Sequence, residues 1–248
     1  MPRYFLEVAY RGEPFSGFQV QENATTVQSE VEEAFRVLFR KKVDLTGSSR
    51  TDAGVHALQN YFHFDWEDPF NPRHLYNLNS ILPRSIVLKK VIEVPADAHC
   101  RFHALKREYR YHINRYRDPF KEGVSWHFPY QLNTDLLLEM ATLVQENKNF
   151  IAFSKRNTQV RTFDCQIYHS KWIIHPEELQ YEVAGNRFLR GMVRALVSSM
   201  LRVARGSSGR DEFIQLLSST KQASADFAAP AHGLFLERVV FPPALRVF

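Results

Sequence analysis

The chain has 248 residues, 44% of them apolar, enough for one large domain or two intimate halves around a sizeable core. Its 32 Lys and Arg against 27 Asp and Glu give a net charge of +5, which favours a polyanionic partner without naming one. Two cysteines, Cys100 and Cys165, are too few for a disulfide scaffold and form no Cys-x-x-Cys zinc pair, and no stretch approaches the roughly 18 uninterrupted apolar residues of a membrane helix.

The N-terminal residues enter an alternating segment with no apolar leader, so a reduced, cytoplasmic setting is expected. Tyr4, Leu6, Val8 and Tyr10 share one face, with Glu7 and Ala9 between them, and predict a half-buried strand. Gly12, Pro14 and Gly17 break the pattern. Thr25 and Gln28 have capping-box spacing ahead of Val27, Val31, Ala34, Phe35 and Leu38, which predicts an amphipathic helix over 26–41. Strands are expected at Val43–Leu45, around Phe62, Phe64 and Trp66, and at Ile86–Val94. The order then restarts. Tyr109, Tyr111 and Ile113 predict a strand, and Leu136, Met140, Leu143 and Val144 a helix. Strands follow at 164–172 and 179–185, then a helix over 187–205 ended by Gly206. Ser208 with Asp211 opens a short helix, and Leu234, Leu236 and Val239 a closing strand. The chain therefore reads as α+β. Two similar ferredoxin-like β-α-β-β halves, 1–103 and 104–248, carry mostly antiparallel sheets joined into a central surface, with helices on the outer face.

The segment that carries chemistry is the loop 47–57, Gly47-Ser48-Ser49-Arg50-Thr51-Asp52-Ala53-Gly54-Val55-His56-Ala57. It is polar and glycine-flanked, and a loop held between strands is a good place for a reacting carboxylate. The plain alternative is a turn whose Asp makes an Asx bond and whose Arg pairs locally. The match is longer than that alternative needs. Arg50 to Ala57 resembles the signature loop of the tRNA pseudouridine synthase I family. Gly17-Phe18-Gln19-Val20-Gln21 resembles its Gly-Trp-Gln-x-Gln segment, and Leu78-Asn79-Ser80-Ile81-Leu82-Pro83 its Asn-x-x-Leu-Pro turn. His99-Cys100-Arg101-Phe102 with Lys106–Tyr111 resembles its Ala-Arg-Phe and Tyr-x-Tyr region. Phe188–Arg194 resembles its Phe-x-x-x-Met-Val-Arg helix start, and Ala229–Leu234 its Ala-Pro-x-x-Gly-Leu. Two departures, Phe18 for a usual Trp and Arg190-Gly191 for a pair often containing His, fall on the expected RNA side.

The resemblance implies isomerisation of uridine to pseudouridine in the anticodon stem-loop of tRNA, at positions 38–40, by a homodimer that needs no cofactor and no metal. It makes Asp52 the catalytic carboxylate and Arg194 the cation that keeps it ionised, since a desolvated Asp without a cation tends to protonate. Tyr109 is implied to stack on the flipped uracil. Arg50 is implied to fill the gap that the base leaves, because a guanidinium stacks on bases and reaches phosphates. Arg101, Arg110, Arg190 and Tyr111 complete the expected substrate-binding set, with Arg11, Lys106, Arg107 and Arg187 as further basic residues.

Two rivals remain open at this level. A metal-dependent hydrolase could use Asp52 and His56, but ligands four apart need a helix and Gly54 breaks one, so His56 reads better as a residue that orients its neighbours. A non-catalytic RNA-binding protein on the same fold would be a degenerate form of the enzyme.

Overall fold

The computed structural model describes residues 1–156 and 160–247. In chain order the described elements are β1 (Arg3–Tyr10), α1 (Val27–Phe39), β2 (Thr46–Gly47), β3 (His56–Asp65), α2 (Pro72–Ile81), β4 (Ile86–Val94), β5 (Lys106–Asn114), β6 (Trp126–His127), α3 (Thr134–Glu146), β7 (Ile167–Ile174), β8 (Glu178–Gly185), α4 (Met192–Ala204), α5 (Arg210–Leu217) and β9 (Leu234–Val240). Among the described residues no helix is long and apolar enough to cross a membrane. The class is α+β with mostly antiparallel pairing, as the pattern predicts. Two compact units are present: Met1–Lys106 with the residues from Phe235 on, and Arg107–Leu234.

In the first unit the strands run β4-β1-β3-β9, with β2 on β3. β1 is antiparallel to both neighbours, whereas β3 pairs with β9 in parallel through His56–Phe235 and Ala57–Leu236. β1 is expected to be half-buried, but as a central strand it is covered on both faces: Phe5, Leu6, Glu7 and Val8 are all buried. Glu7 tolerates this because the Tyr61 hydroxyl donates to its carboxylate at 3.0 Å. α1 buries Val27, Val31, Ala34 and Phe35, and the Phe35 ring packs against Phe64 and Trp66 at 5.3 and 5.9 Å. Its capping box is Thr26 with Ser29, one residue on from the Thr25 and Gln28 that the spacing suggests. The strand expected at Val43–Leu45 does not form; those residues are irregular, and the two-residue β2 follows them at Thr46–Gly47. α2 is a helix where the sequence suggests a turn at Leu78–Pro83. Asn71 caps it, Pro72 opens it, and Asn79 on it bonds the Leu88 backbone in both directions at 2.8 Å.

In the second unit β8 lies between β5 and β7, antiparallel to both, and β6 adds to β5 in parallel. α3 packs on β7 and α4, and the core gathers Tyr111, Trp172, Tyr181, Leu196 and Met200. The expected helix over 187–205 begins at Met192. Residues 187–190 approach in non-helical backbone and Gly191 turns the chain at φ +75°, a conformation that costs a residue with a Cβ. At the other end Gly206, at φ +78°, terminates it as expected. The short helix α5 is capped by Gly209 rather than started by Ser208.

Candidate active site

The loop 47–57 leaves β2, passes Arg50-Thr51-Asp52 and re-enters the sheet at His56. Its middle is fixed by buried polar contacts. The Thr51 hydroxyl meets the Tyr10 hydroxyl at 2.8 Å, and the Thr51 carbonyl accepts from the Phe18 amide at 3.2 Å. Asn60, itself buried, donates to the Ser49 carbonyl at 2.8 Å and to Tyr10 Oη at 3.3 Å. The Val55 amide closes a turn on the Asp52 carbonyl at 3.1 Å. Thr51 is thus drawn inward, while Arg50 before it is exposed and Asp52 after it half-buried.

Two glycines let other backbone come this close. A Cβ on Gly12 would sit 2.0 Å from the Val55 carbonyl oxygen, closer than any real contact. Gly17 lies at φ +107°, with its would-be Cβ 3.1 Å from the Thr51 carbonyl oxygen. His56 seals the far end. Only 1% exposed, it accepts the Gly12 amide on Nδ1 at 3.0 Å and stacks on Phe235 at 4.6 Å. Nδ1 is therefore an acceptor and the ring proton sits on Nε2. His56 orients its neighbours, as the sequence reading favours.

Phe18 corrects an expectation. It does not face RNA but is 1% exposed, stacked on Phe62 at 4.6 Å and near Tyr10 at 5.7 Å. Its place is under the loop, where it supports the backbone that carries Thr51. Arg101, exposed, lies in the same unit as Arg50. The positive charge of Arg101, after burial itself, holds the Arg50 guanidinium pKa below its ordinary value.

In the second unit, Tyr109 and Arg110 sit on β5 opposite Val183 and Glu182. Tyr109 is half-buried with its ring edge-on to Phe188 at 5.1 Å. Arg110 donates to Glu182 at 2.7 Å, and Lys171 reaches the same carboxylate at 3.1 Å. That pairing takes up part of the charge a phosphate would meet. The Glu182 pKa is lowered although burial, the largest influence, opposes this; hydrogen bonding and charge from Lys171 and Arg110 prevail. Tyr111 is 0% exposed and its hydroxyl donates to the Pro230 carbonyl at 2.7 Å. Burial raises its pKa, a change that Arg194 nearby opposes. It therefore lies behind the surface rather than at it. Arg190 is exposed, and its carbonyl holds the Lys155 amide at 3.0 Å.

Arg194 stands in the first turn of α4, half-buried, with Nε donating to the Ala229 carbonyl at 2.7 Å. Tyr111 and Arg194 thus converge on one segment, Ala229–Gly233, which the Tyr111 ring also presses: a Cβ on Gly233 would lie 2.7 Å from Tyr111 Cζ. The two carbonyl acceptors, Ala229 and Pro230, escape sequence reasoning because main-chain atoms leave no residue-type signal. Tyr10 and Asn60 escape it because they read as ordinary strand residues. The only hint is the Ala-Pro-x-x-Gly-Leu spacing itself.

Comparison with known proteins agrees with the motifs. Residues 7–103 and 147–242 match the family described as tRNA pseudouridine synthase. The chain is similar to the tRNA pseudouridine synthase A of Porphyromonas gingivalis, with 39% identity over 250 residues that cover 99% of each chain. The protein of the same name from Parabacteroides distasonis is 37% identical over 247 residues, 99% of this chain and 98% of the other. That of Staphylococcus aureus is 35% identical over 241 residues, 96% of this chain and 90% of the other. With three-quarters of the chain inside the family match and full-length relatives above the level at which families diverge in fold, this chain belongs to the tRNA pseudouridine synthase family.

Proposed function

We propose that this chain isomerises uridine to pseudouridine in the anticodon stem-loop of tRNA, at positions 38–40, as a cytoplasmic homodimer without cofactor or metal. The coarser part follows from the family: the chain is an isomerase acting on tRNA uridine. The reaction breaks the N1–C1′ bond, rejoins C1′ to C5 of the same uracil and releases the C5 proton to water, with no net redox change. Asp52 is the carboxylate that opens it. Arg194 is the cation that keeps Asp52 ionised, Tyr109 stacks on the detached uracil, and Arg50 fills the space that the base vacates. Arg101 and Arg190, both exposed, take phosphates, whereas Arg110 and Tyr111 act from behind, through Glu182 and the Pro230 carbonyl.

The observation that carries this reading is the inward clamp on Thr51 by Tyr10 and Phe18, which turns its neighbours Arg50 and Asp52 away from the core on a backbone with little freedom. The test is to map pseudouridine in tRNA from a strain lacking the gene, then restore it with the wild-type chain in the presence of a chelator. Loss and chelator-resistant recovery at positions 38–40 are expected. Recovery at other positions would overturn the assigned target, and zinc-dependent recovery the metal-free chemistry. Binding of tRNA with no recovery would favour the non-catalytic alternative.

A further inference from the structure

Outside the residues assigned so far, the first unit holds a cluster in which the donor atoms of His63, His99 and Cys100 lie within 4.8 Å of one another. Its hydrogen bonds point away from metal ligation. His99 Nδ1 accepts the amides of Arg101 and Phe102 at 3.2 and 3.4 Å, which puts its proton on Nε2. The Cys100 thiol donates to the Thr46 carbonyl at 3.1 Å and lies 3.2 Å from His63 Nδ1. Burial lowers the pKa values of both imidazoles, and the positive charge of the Arg3 guanidinium nearby works in the same direction.

What the cluster builds is a column of rings. His63, buried on β3, lies 4.5 Å from His99, and His99 lies 4.2 Å from Phe102. Phe102 at the top is 72% exposed. The turn beneath it is braced at both ends. His99 N–H donates to His103 Nδ1 at 3.2 Å, the His103 amide donates to the His99 carbonyl at 3.0 Å, and Cys100 is fully buried. Phe102 is therefore an aromatic presented to solvent on a fixed base. The Arg101 guanidinium lies 5.7 Å from its ring centroid, and Arg50 is close enough to feel the Arg101 charge.

We propose that Phe102, backed by His99 and His63 and flanked by Arg101, is a stacking platform for an unpaired nucleobase of the RNA substrate. An exposed aromatic face accepts any base. The adjacent Arg101 guanidinium holds a neighbouring phosphate, and a pre-braced turn avoids the ordering cost of a mobile one. The platform rests on the reading of this chain as an enzyme of tRNA.

The test compares tRNA binding by the wild-type chain, Phe102→Ala and Phe102→Trp, with folding checked by circular dichroism. Phe102→Ala should raise the Kd by about five- to a hundredfold, the effect of losing one base–aromatic stack. Phe102→Trp should bind within about threefold of wild type, a margin small beside the loss of that stack. Its added indole, exposed in the unbound protein, should lose fluorescence and become shielded from acrylamide when tRNA binds. An unchanged Kd for Phe102→Ala, or an indole that stays accessible in the complex, would overturn the platform. So would a change in oligomeric state at unchanged tRNA affinity, which would make Phe102 a protein contact. A wild-type chain that does not retain tRNA at all would instead strike the underlying reading.

Discussion

The loop 47–57 and the α4 start at 188–194 both present arginines from motif segments, yet they are held in opposite ways. The loop has little apolar mass of its own. Backbone approach at Gly12 and Gly17 and buried polar groups from Tyr10, Asn60 and His56 fix it. Arg194 rides instead on a helix whose other faces bury Met192, Ala195, Leu196, Ser199, Met200 and Val203, and its Nε donates to the Ala229 carbonyl. Hydrogen bonds and close contacts are short-ranged and directional, whereas apolar burial is additive and tolerant of small shifts. The loop should therefore fail when an atom is added, and the helix when atoms are removed.

The largest expected effect is Gly12→Ala. Its Cβ meets the Val55 carbonyl carbon at 2.5 Å as well as the oxygen, and backbone cannot rotate away as a side chain can. A loss of at least about 4 kcal/mol in urea unfolding is expected, with turnover lost too. A stable, active Gly12→Ala protein would show that the loop has slack. Next is Leu196→Ala in α4, which leaves a cavity at a fully buried position and should cost about 3 kcal/mol while the tRNA contacts of the first unit persist. Near-normal stability there would mean that the helix is not held by burial.

A smaller effect concerns pH. Burial, with His99 and Arg3, lowers the His63 pKa from 6.5 to about 4, against the pull of Asp65. Between those values the unfolded chain binds more protons than the folded one, so stability is complete above pH 6.5 and declines as pH falls toward 4. The full loss from this group is of order 3 kcal/mol, and denaturant midpoints across that window should show a flatter profile for His63→Gln. Equal slopes for the two proteins would remove His63 from the acid response.

The α+β class, β1, α1, β3 and β4 were legible because alternation and helical spacing mark them directly. The Arg50–Ala57 loop was legible because its motif is long. α2 carries a good helix opening in Asn71-Pro72 but no apolar stripe, since Leu78 is the one residue on it that is buried. The true start of α4 lay hidden because Phe188 and Leu189 continue an apolar pattern that Gly191 interrupts only through its positive φ. The parallel pairing of β9 with β3 joins residues far apart in sequence and leaves no local trace. Phe18 was assigned outward by analogy, and Tyr111 by its motif. Neither assignment could register burial, which depends on strands and rings from elsewhere in the chain.

Tritium release from tRNA carrying 5-³H-uridine tests the central claim most directly, because transfer of C1′ to C5 expels that label and leaves the chain intact. Wild type should release it, and Asp52→Asn should release it slower by roughly a thousandfold or more. The variant should keep tRNA affinity within about tenfold, since phosphate contacts supply most of the binding. Near-normal release by a purified, folded Asp52→Asn protein would contradict the account.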